Sequence, residues 1–245
     1  RILDCKDQIF LFFVILVVIT PIITVLSYIF SPSIYIWNHL ANNLLLEYLS
    51  NTFLILIFVS LLSVILGVSC AWLVTMYQFP GKDIFKWLLV MPIAIPTYVS
   101  AYIYAGLVEP SGFLFESTEN TIGLGKELYN LINLRNIYGV IFILSICLYP
   151  YVYLLTYSSF KEQSHCAIEV GKSLGLNKGE LFRKISIPLA RPGIIAGLSL
   201  VMMETLAEFG TMDYYGVSTF TTGIYRTWFA FGDDTSALHL ASILL

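Results

Sequence analysis

The sequence predicts an all-α, polytopic membrane protein, and three observations support this fold class. Of the 245 residues, 58% are hydrophobic and only 12% are charged, whereas soluble domains carry about 25% charged residues. The mean hydropathy is +0.81. Long stretches without a charged residue recur and show no alternating strand pattern. Because a spanning segment must satisfy its backbone hydrogen bonds internally, we expect these stretches to be helices.

The same composition excludes several classes of protein. A water-exposed surface needs more charge than this chain has, which excludes a soluble enzyme, and the apolar content excludes disorder. The net charge of −3 argues against nucleic-acid binding. The four cysteines lack CxxC or Cys/His spacing, so we expect small buried side chains and no metal site. We interpret residues 1–245 as a single transmembrane domain, truncated at its C-terminus because the sequence stops within an apolar run.

Apolar stretches define about five complete spans and the start of a sixth. The first is long enough to cross a hydrocarbon core of about 30 Å, and we interpret it as a retained helix rather than a signal peptide. The predicted spans are Ile9–Phe30, Asn51–Tyr77, Trp87–Val108, Ile137–Phe160, Pro192–Gly210 and a truncated one from Thr235.

The distribution of Lys and Arg predicts the orientation. Ten of the 13 basic residues fall on the same side as the N-terminus, which is therefore expected to be cytoplasmic. On the other side, the aromatic-rich segment Thr211–Asp234 predicts a partly inserted helix or re-entrant turn near Thr219–Phe231.

One cytoplasmic loop, Lys161–Ala190, is long and patterned. Its first part predicts a helix that ends at Gly175 and carries a stripe of small and apolar residues at i, i+3, i+4 and i+7. Asn177 and Glu180 have the spacing of a capping box, so a second short helix should follow and end at Pro188. The stripe consists of Ala167, Val170, Gly171 and Leu174. From composition alone, this pair of helices either docks a partner or lies on lipid headgroups.

Two carboxylates lie within the fifth span. Glu204 and Glu208 lie four positions apart in the sequence (i, i+4) and share one helix face. Charges inside a bilayer usually face a cavity or a partner, so the pair either lines a pathway for a cationic substrate or is structural. Pro92 and Pro96 predict bends in the third span, which either contribute to the pathway or are compensated by packing.

The patterned loop also has the spacing of a known signature. Glu169-Val-Gly-Lys-Ser-Leu-Gly175, nine further residues and Ile185-Ser-Ile-Pro188 resemble the EAA loop of permease subunits in binding-protein-dependent ABC importers. That pattern is Glu-Ala-Ala, three residues, Gly, nine residues and Ile-x-Leu-Pro. Val170 and Gly171 replace its two Ala residues, and Ile187 replaces Leu. These replacements are small or apolar, so docking is still expected.

Other motifs resemble one branch of that family, the ferric-iron importer permeases, although thiamine permeases are similar. They are Ala71-Trp-Leu-Val-Thr75, Phe79-Pro-Gly81, Met91-Pro-Ile-Ala-Ile-Pro-Thr-Tyr98, Met203-Glu-Thr-Leu-Ala-Glu-Phe-Gly210 and Phe220-Thr-Thr-Gly-Ile-Tyr-Arg-Thr-Trp-Phe229. The resemblance implies a type I (MetI-like) transmembrane domain in the inner membrane. It also implies that this fragment is the first of two permease units, fused or separate.

The resemblance further implies the partners. A periplasmic binding protein would deliver substrate, and a cytoplasmic ABC ATPase dimer would grip the loop and drive alternating access. This chain has no GxxxxGK[ST] motif, so ATP and Mg²⁺ would be used by the partner and no cofactor by this chain. The residues implied in ATPase coupling are Ala167, Glu169, Val170, Gly171, Leu174, Gly175, Leu181, Ile185 and Pro188.

Two other classes of function compete with an importer permease. An ion-coupled secondary transporter would need its own coupling site, for which only Glu204, Glu208, Pro92 and Pro96 are candidates. A membrane enzyme would need a polar catalytic cluster, and none is evident. The patterned loop favours the importer permease, since neither alternative has a use for it.

Overall fold

A computed structural model describes residues 5–30, 34–110, 112–123, 126, 127, 129, 133–162, 170, 171, 173 and 175–245. Across these residues the regular elements are all helical. We number the α-helices discussed here in chain order. They are α1 Cys5–Ser27, α2 Ile34–Asn43, α3 Leu45–Met76, α4 Lys82–Leu88, α5 Thr97–Val108, α6 Phe113–Ile122, α7 Ile137–Glu162, α8 Lys178–Leu181, α9 Ile187–Ala207, α10 Gly210–Tyr214, α11 Phe220–Phe229 and α12 Asp234–Leu244.

Within the part of the chain that the structure describes, four helical segments are long and apolar enough to cross a membrane, which confirms the predicted all-α, polytopic class. They correspond to the first, second, fourth and fifth predicted spans, although the second begins earlier than expected. The segments are Gln8–Phe30, Leu45–Met76, Ile137–Glu162 and Lys178–Ala207.

The third predicted span, Trp87–Val108, is wrong as a continuous helix. The chain forms α4, a 3₁₀ turn at Met91–Ala94 and then α5. The segments Lys82–Ala94 and Thr97–Thr121 meet at 98°. Proline lacks an N–H donor and disfavours helix at the residue before it. Pro92 and Pro96 therefore produce a break rather than a gentle kink.

Two tyrosines on α7 compensate for this break. The hydroxyl of Tyr149 donates to the carbonyl oxygen of Leu89 at 2.9 Å. The hydroxyl of Tyr153, one turn further on, donates to the carbonyl oxygen of Lys86 at 3.2 Å. A broken helix leaves carbonyl groups without intrahelical donors, which is tolerated at membrane depth only where protein supplies them. The tyrosines provide these donors.

Close helix packing centres on the fully buried Val152 of α7. A Cβ atom added to Gly67 of α3 would lie 2.8 Å from Cβ of Val152, and one added to Gly197 of α9 would lie 2.7 Å from its Cα. Any larger residue at either glycine would force the helices apart. Small residues that allow such approach are typical of helix contacts in membranes.

The chain divides into two compact units, Phe53–Val217 and a unit formed by residues up to Thr52 with Ser218–Leu245. In the latter, the His239 ring lies 4.1 Å from the Trp37 ring, and its Nδ1 lies 2.9 Å from the carbonyl oxygen of Tyr28. Helix α11 confirms the helix predicted near Thr219–Phe231. The residues discussed below as sites all belong to Phe53–Val217.

Candidate functional site

The second half of the patterned loop has the local structure that its sequence predicts. Gly175 adopts a φ of +78°, a left-handed conformation that favours glycine. The N–H of Leu176 donates to the carbonyl oxygen of Gly171 at 3.2 Å, as in a Schellman helix end. Asn177 and Glu180 then form a reciprocal capping box that begins α8. The predicted turn between two helical segments is therefore present, and we call the described residues from Val170 to Pro188 the elbow.

The interior of the elbow corrects one expectation. We expected Val170 and Gly171 to face a partner together, but Gly171 is buried while Val170 is 52% exposed. A Cβ atom on Gly171 would lie 2.5 Å from Cδ1 of Ile185 and 2.9 Å from Cδ1 of the buried Leu181. Gly171, Leu181 and Ile185 thus hold the elbow together, and Val170 remains available to a partner. Ala167, Glu169 and Leu174 lie outside the described residues.

The predicted stop at Pro188 is also wrong. The helix continues from Lys178 through Ala207, by way of a π-helical turn at Phe182–Ser186. Pro188 occupies the first turn of α9, where its missing N–H does least harm, and Pro192 lies inside α9. The second helix of the elbow and the fifth span therefore form one continuous rod.

The start of this rod carries an ion pair. Oε1 of Glu180 accepts from Nζ of Lys184 at 2.9 Å, and its Oε2 accepts from the N–H of Asn177 at 3.1 Å. The Lys184 ammonium and the Asn177 amide lower the pKa of the Glu180 carboxyl below its usual value. Because about 20 residues suffice to cross the hydrocarbon core, these first turns extend beyond the apolar segment of α9.

Glu204, Glu208 and Pro96, the residues predicted to line the pathway, all line a single cavity of about 240 Å³. It lies where the break before α5 meets the end of α9. Its described lining contains two carboxylates, two phenols and a thiol but no Lys or Arg. The lining residues are Ile93, Ile95, Pro96, Thr97, Tyr98, Cys147, Leu148, Tyr151, Glu204 and Glu208.

The two carboxylates in this cavity differ in their contacts. Oε2 of Glu208 accepts from the hydroxyl of Thr97 at 2.6 Å, and its Oε1 accepts from the N–H of Thr211 at 2.8 Å. Glu208 thereby joins the first residue of α5 to the start of α10. Glu204 is exposed to the cavity one helical turn earlier. The i, i+4 spacing predicted a shared face but could not distinguish these two environments.

A second cavity of about 380 Å³ lies between α5 and α10. Tyr98 lines both cavities, and a Cβ atom on Gly210 would lie 2.8 Å from Cβ of this tyrosine. The sequence analysis missed Tyr98, Tyr102 and Asp213 as lining residues. In the sequence, the one sign that this region lines a cavity was the Thr97-Tyr98 pair, which directly follows Pro96. Among the described residues, no group of three or more His, Cys, Asp or Glu side chains is arranged to hold a metal ion.

Comparison with known families identifies the class of transporter. Residues 63–245 match the family described as "Binding-protein-dependent transport system inner membrane component". The chain belongs to this family. It is therefore a membrane component of an ABC importer, a multi-pass inner-membrane protein, as the EAA-like spacing predicted.

Relatives of this importer component have different named substrates. It is 29% identical to the Fe(3+)-transport system permease protein FbpB 2 of Haemophilus influenzae over 81% of this chain and 35% of the relative. It is 26% identical to a probable molybdenum ABC transporter permease of Haloferax volcanii, over 76% and 65%. It is 25% identical to the sulfate permease CysT of Salmonella typhimurium, over 72% and 61%. The chain thus spans about a third of the iron permease and less than two thirds of the other two.

A solved structure shares the fold of the importer component. The crystal structure of a bacterial ABC transporter involved in the import of the acidic polysaccharide alginate matches with a TM-score of 0.74, covering 98% of this chain and 91% of that chain. The sequence identity is 16%. The match confirms a type I importer transmembrane fold.

Proposed function

We propose that this importer component passes ferric iron from a periplasmic binding protein across the inner membrane, with residues 1–245 acting as one permease domain. The observation that carries the substrate class is the cavity around Glu204, whose described lining has carboxylates and phenols but no basic residue. Anions such as sulfate would be repelled by the two carboxylates, since the described lining has no basic residue that would attract them. A cation with a preference for hard oxygen ligands suits this lining.

Transport would require a partner that hydrolyses ATP. We propose that a cytoplasmic ABC ATPase dimer docks on the elbow. Exposed Val170 would meet the ATPase, and Gly171 and Leu181 would keep the elbow rigid. The N-terminus is then cytoplasmic, in agreement with the Lys and Arg distribution. ATP and Mg²⁺ would bind in the partner.

Alternating access also needs a second permease unit, fused or separate. Two such units would enclose the cavities around Tyr98 and rock together when the ATPases close. Tyr98, which lines both cavities, would then separate the outer cavity from the one that holds Glu204. The binding protein would release substrate at the outer cavity, and membrane lipid would cover the remaining apolar surface.

The ATPase partnership is tested by co-purification of the full-length protein with candidate ABC ATPase subunits. Gly175→Pro and Glu169→Arg should each release a bound ATPase. Gly216→Pro is the matched control, since Gly216 also has a positive φ of 70° and lies outside the elbow. Equal retention of ATPase in all variants would contradict the proposed docking of the ATPase on the elbow.

The substrate is tested in proteoliposomes that contain the assembled importer. Uptake of ferric iron, sulfate, molybdate and thiamine is measured in parallel, each with its own binding protein. Ferric iron alone should accumulate in an ATP-dependent manner. Uptake of sulfate, molybdate or thiamine without iron would retain the importer but reject iron as its substrate.

A further inference from the structure

The second helix of the elbow uses two neighbouring residues to contact two different parts of the molecule. Leu181 is 4% exposed and packs toward Gly171 inside the elbow. Phe182, the next residue, begins the π-helical turn and packs against the main apolar core. Its ring centroid lies 4.8 Å from that of Trp72. The elbow is therefore attached to the helix bundle through Phe182.

Trp72 stands at the centre of this attachment. Its ring also lies 5.6 Å from the ring of Phe160, at an interplanar angle of 72°. Phe160 is 2% exposed and lies near the end of α7, while Trp72 belongs to α3. We call Trp72, Phe160 and Phe182 the aromatic joint. It connects α3, α7 and the elbow near the ends of the two spans that lie beside the elbow.

A second contact supports the same attachment. Nζ of Lys178, the first residue of α8, lies 4.8 Å from the centroid of the Tyr77 ring, just beyond the end of α3. Aromatic pairs and cation–π contacts have preferred geometries, and the rings of Trp72 and Phe182 meet at a tilt of 47°. The elbow and the end of α3 are thus held in a defined orientation.

These contacts matter because the elbow continues directly into one span, α9, on its C-terminal side, whereas α3 is distant from it in sequence. The rod Lys178–Ala207 carries any displacement of the elbow directly into α9. Helix α3 has no such continuity and would receive the displacement through side-chain contacts. We propose that Trp72 is a positioning residue that transmits the ATP-driven movement of the elbow to α3. This inference rests on the proposed ATPase partnership.

The test separates docking of the ATPase from transmission of its movement. The assembled full-length importer carries Tyr102→Cys in a background in which the native cysteines are replaced by alanine. Tyr102 lines the outer cavity and is 65% exposed. Two quantities are measured, the amount of ATPase retained and the effect of ATP on the rate at which a membrane-impermeant maleimide labels Tyr102→Cys. Neither measurement requires knowledge of the substrate.

The variants are Trp72→Leu, Phe182→Leu and the double variant. Each should retain the ATPase but reduce the ATP-dependent change in labelling roughly fivefold or more, as expected for the loss of an aromatic contact. If the two residues act through one joint, the double variant should be no worse than the worse single variant. Phe79→Leu is the matched control. Phe79 pairs with Phe85 at 5.9 Å, packs against the same core and lies outside the joint.

Two results would overturn this inference alone. One is a normal ATP-dependent change in labelling in both single variants. The other is release of the ATPase by either variant, which would show that the joint supports the docking surface instead of transmitting movement. If the importer with unaltered Trp72 and Phe182 retains no ATPase, the proposed partnership itself is wrong, and this inference falls with it.

Discussion

The hydroxyl of Thr97 donates a hydrogen bond of 2.6 Å to Oε2 of Glu208. This bond joins two interruptions of helical structure, one before α5 and one between α9 and α10. The other oxygen, Oε1, accepts from the N–H of Thr211 at 2.8 Å. Glu208 therefore accepts from the N–H of Thr211, a donor that the start of a helix leaves without an intrahelical partner, and from the side chain that begins α5.

We expect removal of this connection to reduce stability. Glu208→Ala and Thr97→Val should each lower the free energy of unfolding by about 1.5–3 kcal/mol, the usual effect of losing a hydrogen bond to a charged group. Thermal unfolding of the purified protein in detergent measures the change. The double variant should be less destabilised than the sum of the two single variants, because both changes remove the same bond. Fully additive effects would show that the two side chains act independently.

Glu204 and Glu208 should differ in their effect on transport. Glu204→Gln removes a charge exposed to the cavity and should reduce uptake roughly tenfold, with little change in thermal stability. Glu208→Gln keeps an oxygen for the Thr211 N–H, and its amide can still bond to Thr97 Oγ1, so we expect a smaller loss. Uptake per inserted protein is the measurement. A larger loss in Glu208→Gln than in Glu204→Gln would reverse this assignment.

The size of the residue at position 171 should decide whether the elbow keeps the structure that binds the ATPase. Alanine raises helix propensity by about 0.5–1 kcal/mol relative to glycine, and only the flexible ends of Ile185 and Leu181 must move to admit its Cβ. Gly171→Ala should therefore retain the ATPase in co-purification. Gly171→Val adds two further methyl groups at a filled position and should release it. Gly179→Val is the control, because the nearest atom to a Cβ there is 3.5 Å away.

Acid should lower the local stability of the first turn of the helix Lys178–Ala207. Lys184 and the Asn177 N–H lower the pKa of Glu180 in the folded protein, so the unfolded chain binds its proton more readily. This stabilising contribution is complete above the unfolded pKa of about 4.3 and is lost as pH falls through the lower folded pKa. Glu180→Gln should remove that part of the pH dependence. Protease cleavage near α8 in purified protein, measured between pH 7 and pH 3, would show the difference, and identical profiles would contradict it.

Several elements could be predicted from sequence because they depend on local chemistry. The turn at Gly175 needs a residue that tolerates a positive φ, and the capping box needs Asn177 and Glu180 at a fixed spacing. The apolar lengths of four spans follow from the thickness of the bilayer. The stop at Pro188 was wrong because proline is compatible with the first turn of a helix, and sequence could not show that a π-helical turn would carry the rod through.

The sequence by itself determined that this is a helical, multi-pass importer component with an elbow-shaped loop, since length, apolarity and motif spacing are local properties of the chain. Only the tertiary structure decided that Gly171 faces the interior of its own elbow and that Trp72 joins the elbow to α3. It also decided that Glu208 is hydrogen-bonded to Thr97 while Glu204 is exposed to the cavity. Those outcomes depend on which side chains meet across helices distant in sequence. Periodicity gives the face of a helix that a residue occupies, but the neighbour that covers this face is set by packing.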